Sequence, residues 1–133
     1  MKYILLMQFP VSGWKTESIG LWPPEDVAKH MAHLRKFNKD LTDSGEFVET
    51  RGLAGWEAAR IVRANPDGSP AVTDGPFPES KEFLAGYWII DVETAERAYE
   101  IAAKASAGPG PGGKPLNMAI EVRPVMMHSL DPG

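Results

Sequence analysis

The chain has 133 residues, 43% of them hydrophobic and four of them tryptophan, which suits one domain with a sizeable core. Fourteen Lys and Arg against eighteen Asp and Glu give a formal charge of -4 with no basic block, which argues against direct binding to nucleic acid. The absence of cysteine excludes disulfides, thiolate catalysis and cysteine-ligated metal centres, and it suits a cytoplasmic setting.

The opening "MKYILLMQFP" is interrupted by Gln8 and Pro10 before a signal-peptide core would be complete. Its apolar positions fall on both alternating faces from Lys2 to Phe9, which predicts a central first strand. No run of about 18 apolar residues occurs anywhere, so no membrane span is expected. A Gly, Ser and Pro-rich loop follows, and then "WPPEDVAKHMAHLRKFNKDLTDSG" carries helix punctuation: prolines first, acids in the first turn, Gly45 at the end. Val27, Met31, Leu34 and Leu41 share one predicted face, with His30 inside the arc of Val27, Leu34 and Phe37 and His33 at its polar border.

"EFVETRGL" (46–53) alternates as a second strand, and "ARIVRA", "NPDG" and "PAVTD" predict a hairpin over 59–74. "AGYWIIDV" (85–92) reads as a buried strand with Tyr87 and Trp88 on opposite faces, both buried. "TAERAYEIAAKAS" reads as a second helix, with Thr94 as N-cap and Ala98, Tyr99 and Ala102 at helical spacing. "NMAIEVRPV" closes as a last strand, so that one domain covers 1–126 and a flexible tail 127–133. With the hairpin set aside as an insertion, the order β-α-β-β-α-β predicts an α+β fold of the ferredoxin-like split βαβ kind. Its second sheet face would carry Glu49, Arg51, Glu121 and Arg123, either bathed in solvent or covered by a second subunit that encloses a polar cavity.

"GPGPGGKP" (108–115) satisfies G-x-G-x-x-G, yet it follows a helix and precedes a strand, the reverse of a phosphate-binding context. Pro109, Pro111 and Pro115 also remove three backbone donors, so a mobile connecting loop is expected instead of a nucleotide site. His30 and His33 lie three apart, with His128 in the tail, but no acid completes a ligand spacing; neither metal nor cofactor is expected. His33, at the helix border, suits general acid or base work near neutral pH. Asp74 opens "DGPF", where Asp, Gly and Pro are ordinary turn chemistry with Gly75 accepting positive φ. Glu79, Lys81 and Glu82 follow it and cluster ionisable groups at a strand-end loop, where sites commonly sit.

"VTDGPFPESKEFLAGYWIIDV", together with "IEVRPVM" and "MKYILLM", resembles the YCII-related family in its DGPF branch over nearly the whole chain. That resemblance implies a ferredoxin-like domain that pairs into a dimeric α/β barrel. It also implies suspected enzymatic function through a histidine and an aspartate, and for some DGPF-type domains a link to sigma-factor-dependent transcription. Asp74 lies inside the matched motif and carries over as the acidic member, whereas His33 is placed near the family histidine by its helix alone.

Two readings follow. In the first, a homodimer encloses a small-molecule pocket in which Asp74 and His33 move a proton while Glu79, Lys81 and Arg123 bind the substrate, giving lyase- or isomerase-like chemistry. In the second, the domain is a non-catalytic ligand-binding or regulatory module associated with a sigma factor.

Overall fold

The computed structural model describes residues 1–10, 22–75, 77 and 81–126. Its elements run β1 (Lys2–Pro10), α1 (Pro24–Asp43), β2 (Phe47–Gly52), β3 (Arg60–Ala64), β4 (Pro70–Asp74), β5 (Glu82–Asp91), α2 (Ala95–Ser106) and β6 (Ile120–Pro124). A 3-10 turn, Trp56–Ala58, precedes β3, and another, Pro111–Gly113, follows α2. The chain is therefore a mixed α+β protein with the expected element order.

Four strands form one antiparallel sheet in the order β2-β5-β1-β6, and β3 and β4 form a separate two-stranded ribbon. The four-stranded sheet is open, with β2 and β6 at its edges; the chain by itself closes no barrel. Residues alternate between faces along each strand. Tyr3 and Leu5 of β1 with Trp88 and Ile90 of β5 point to the helices and are buried. They meet Phe37 and Leu41 of α1 and Ala98, Ile101, Ala102 and Ala105 of α2 in one core cluster. Trp88 sits at its centre: its ring meets Phe37 edge-on at 5.2 Å, and its indole N–H donates to the Asn38 side chain at 2.9 Å.

Both helices begin as the sequence predicts. α1 has proline in its first turn with Glu25 and Asp26, while Thr94 caps α2 by accepting from the Arg97 N–H at 3.1 Å. Gly45, at φ +78°, lets the chain leave α1 while the Glu46 N–H returns to the Leu41 carbonyl. The helix faces hold at His30, Phe37, Leu41, Ala98 and Ala102 and differ from the expected ones at Met31 and Tyr99. α1 buries Asp26, His30, Phe37 and Leu41, and Met31, one residue and so about 100° round from His30, is exposed. α2 buries Ala98, Ile101, Ala102 and Ala105, and Tyr99 faces solvent.

Gly86 shows how closely the strands approach. A Cβ there would stand 2.8 Å from the Arg51 carbonyl oxygen of β2, so only glycine fits this register. At the other end of β2, Arg97 of α2 holds the Glu46 carboxylate with two hydrogen bonds of 2.8 Å.

Replacing Trp88 with alanine removes the centre of this packing and leaves Asn38 unpaired. It is expected to lower stability by about 3–5 kcal/mol, whereas Tyr99→Ala should stay within about 0.5 kcal/mol. Urea unfolding of the two variants measures the difference, and similar midpoints would overturn the placement of the core.

Candidate functional site

Asp74 ends β4, its side chain 95% exposed, and faces Arg60 across the ladder at 3.6 Å. The glycine after it is required by contact, not by a left-handed turn: its N–H donates to the Ala59 carbonyl at 2.9 Å, and a Cβ would meet the Ala59 backbone at 3.2 Å. Lys81 is exposed just before β5, and Glu79 lies outside the described residues, as do His128 and the tail. Beside this end of the sheet is an open groove of about 380 Å³ lined mainly by Leu53, Trp56, Ala59, Phe83 and Leu84, with Glu82 at its rim.

His33 is half-buried on the helix side of the sheet. Its Nε2–H donates to the Lys104 carbonyl at 3.2 Å, and its ring stacks on Phe37. No hydrogen bond or ion pair joins it to Asp74 within the chain. The two residues are held by different elements, because α1 packs against α2 while Asp74 belongs to the hairpin.

Arg123 lies on the opposite face of the sheet, 3.8 Å from Glu121 on the same strand. That face collects what strand alternation predicts. The register sets Arg123 opposite Ile4, Glu121 opposite Leu6, Glu49 opposite Ile89 and Arg51 opposite Tyr87. An irregularity between Phe47 and Glu49 keeps Phe47 toward the core and sends Glu49 and Arg51 outward. The result is a half-buried stripe of Ile4, Leu6, Tyr87 and Ile89 between two Glu-x-Arg rails.

The polar centre of this face is a pair that sequence reasoning does not join. The Tyr87 hydroxyl donates to the Glu49 carboxylate at 2.5 Å, and this hydrogen bond, with some desolvation, raises the phenol above its ordinary pKa. Alternation places each residue on its face, but only the pairing of β2 with β5 makes them neighbours.

A second cluster lies on the helix side, where His30 inside the buried arc is joined by Asp26, which the sequence does not single out. His30 and Asp26 are buried, His30 Nδ1–H donates to the Pro109 carbonyl at 3.0 Å, and Asp26 accepts from the Gly112 N–H at 3.0 Å. The glycine-rich segment is thus tied down, and its donors are occupied. Gly108 gives its N–H to Ala105, Gly110 to Lys114 and Gly113 to Gly110, so no phosphate cradle is free. Among the described residues no group of three or more His, Asp or Glu could hold a metal, and no helix is long and apolar enough to cross a membrane.

Another open groove, of about 610 Å³, runs along Glu46, Asp91 and Arg97. Its carboxylate is already saturated by Arg97 and by the Ser44 hydroxyl, which marks a structural clip.

An open antiparallel sheet with two helices on one face defines the class as a small α+β domain. The chain belongs to the YCII-related domain family, whose model matches residues 1–110. It is also similar to an uncharacterised protein of Rhizobium meliloti (strain 1021), 29% identical over 124 residues that cover 92% of this chain and 94% of the relative.

The Glu46 clip makes a pH prediction. Arg97 and Ser44 hold the Glu46 carboxyl at about 2 against an ordinary 4.5. Its contribution to stability is complete above the ordinary value and is lost as pH falls from there toward about 2. Glu46→Gln should therefore be less stable than the parent at neutral pH and flatten the fall in urea midpoint through that window. A variant whose acid profile parallels the parent would remove Glu46 from the account.

Proposed function

We propose that the chain works as a homodimer in which the open faces of two ferredoxin-like sheets enclose a small-molecule site. The observation that carries this reading is the half-buried stripe of Ile4, Leu6, Tyr87 and Ile89 on the face turned away from both helices. Apolar sheet faces are normally buried, and rails bearing both charges on either side let a two-fold copy pair acid with base. The "DGPF" run at Asp74–Phe77 supports placing the chain in the DGPF branch.

The substrate class follows from the lining. Apolar floor residues and the guanidinium groups of Arg51 and Arg123 suit a small ring-bearing or apolar molecule with a carboxylate. Tyr87 and Glu49, already joined by a hydrogen bond, are the acid–base pair on that face, which supports elimination, isomerisation or hydration over acyl transfer. Asp74 and Lys81, exposed at the hairpin end, with Glu79 between them in sequence, form the rim. His33 faces away from this site and serves to hold α1 against α2.

A second reading has one specific observation behind it. Val62 and Val72 face each other on the separate ribbon and are 60% and 57% exposed, an apolar contact point outside the open sheet face. It fits a regulatory module that docks a protein partner such as a sigma factor.

Light scattering at micromolar concentration should give a mass near twice 14.5 kDa. Leu6→Asp, at the centre of the face, should halve that mass while preserving the circular dichroism spectrum. A parent protein that stays monomeric refutes the dimer. Against a panel of small carboxylates, Arg123→Ala should weaken binding by about tenfold, and Tyr87→Phe should lower turnover with binding retained. A dimer that binds none of them favours the regulatory reading.

A further inference from the structure

The face turned away from the helices carries its charges in a pattern. Strand pairing lays two rows across the sheet: Arg51, Tyr87, Leu6 and Glu121 form one, and Glu49, Ile89, Ile4 and Arg123 form the next. Each row starts on the edge strand β2, crosses β5 and β1, and ends on the other edge strand β6. The four charged residues therefore stand at the corners of a rectangle, about 14 Å across the strands and about 7 Å along them. Signs alternate round it. The two arginines share one diagonal and the two glutamates the other, so every side of the rectangle joins opposite charges.

We propose that this rectangle sets how two copies meet: they stack about a two-fold axis parallel to the strands, with the partner's Arg123 over Glu49 and the partner's Glu121 over Arg51. This rests on the dimer reading above and adds the orientation of the copies. Rotation about that axis exchanges β2 with β6 and β5 with β1 and leaves each row in place. All four corners then meet the opposite sign, while Tyr87 lies over the partner's Leu6 and Ile89 over the partner's Ile4. Facing sheets pack with their strands either aligned or near right angles. The crossed arrangement needs a diagonal axis, which brings arginine to arginine and glutamate to glutamate at every corner. Like charges set against each other in an interface are strongly disfavoured, so the pattern selects aligned sheets.

A second aligned arrangement, about an axis across the strands, also matches signs, with Arg51 over the partner's Glu49 and Arg123 over the partner's Glu121. The side chains decide between the two. Arg51 is tied to its own strand, where its Nη1–H donates to the Thr50 carbonyl at 2.6 Å. Arg123 is 67% exposed and held only by Glu121 at 3.8 Å, so it is the guanidinium able to reach across. Glu49 accepts the Tyr87 hydroxyl and has lone pairs left for it. The Tyr87–Glu49 pair is then composite: its carboxylate is flanked by an arginine from the other copy, and neither copy completes it alone. With five N–H groups, that guanidinium keeps donors for a substrate carboxylate as well.

Sedimentation of the full chain over a dilution series tests the arrangement, with circular dichroism as the check on folding. The variant Glu121→Arg with Arg123→Glu exchanges two exposed charges on β6 and sets like on like at all four corners. Its dimer should weaken by about tenfold or more. The complementary variant, Glu49→Arg with Arg51→Glu, should weaken in the same way, and equal amounts of the two should combine into a heterodimer in which every corner matches again. A β6 exchange that leaves the dimer as tight as the parent rejects this axis in favour of the one across the strands, and one that tightens it points to crossed sheets; either overturns the proposal. If the β2 variant does not fold, the β6 exchange decides alone. A parent that is monomeric throughout removes the dimer reading itself, an outcome distinct from a dimer indifferent to the exchange.

Discussion

The antiparallel pairing of β1 with β5 is the constraint on which the rest depends. It sets Leu5 beside Trp88 and Tyr3 beside Ile90 on one face, and both helices pack over that surface. Because side chains alternate, the same pairing sets Ile4 beside Ile89 and Leu6 beside Tyr87 on the other face. A register slip of one residue would exchange the two sets. The core and the uncovered stripe are therefore one decision, and neither can be altered without the other.

Polar side chains then close the ends of this packing. Glu46 and Arg97 join the start of β2 to α2, Asn38 meets the Trp88 indole beneath α1, and the Ser106 hydroxyl donates to the Met118 carbonyl where the chain turns toward β6. Each satisfies a group that packing takes out of water. Asp26 and His30 belong to the same class by burial but differ in what they secure. They hold the 108–116 segment to α1, while the Gly108 N–H ties its start to Ala105 of α2.

Much of the fold is legible in the residues because local rules agree with the tertiary demand. Proline and acids start α1, Thr94 caps α2, and alternation assigns Glu49, Arg51, Glu121 and Arg123 to one face. What stays hidden depends on which strand lies beside which. Tyr87 and Glu49 are 38 positions apart, and their contact exists only because β2 pairs with β5 through an irregular step. Met31 and Tyr99 are large enough to suggest burial, but each sits one position round from a residue that is buried, His30 and Ala98, and faces solvent. The seat of the 108–116 segment is hidden for another reason. Glycine and proline spacing describes where a chain bends, and it says nothing of the two buried side chains on α1 that receive the bend.

The "DGPF" turn divides between architecture and availability. Gly75 serves the fold, since a Cβ there would sit close against Ala59 at 3.2 Å. Asp74 is not: an ion pair of 3.6 Å with one partner 95% exposed contributes at most about 1 kcal/mol. Folding does not demand an acid there, so what recommends Asp74 for function is that its carboxylate remains in water at the end of a rigid ladder. His33 is the opposite case. Its ring nitrogen meets the Lys104 carbonyl and its face stacks on Phe37, so it takes part in the contact between the helices. The ionisable groups that the fold does not use to hold its helices thus lie at the hairpin end and on the face turned away from the helices.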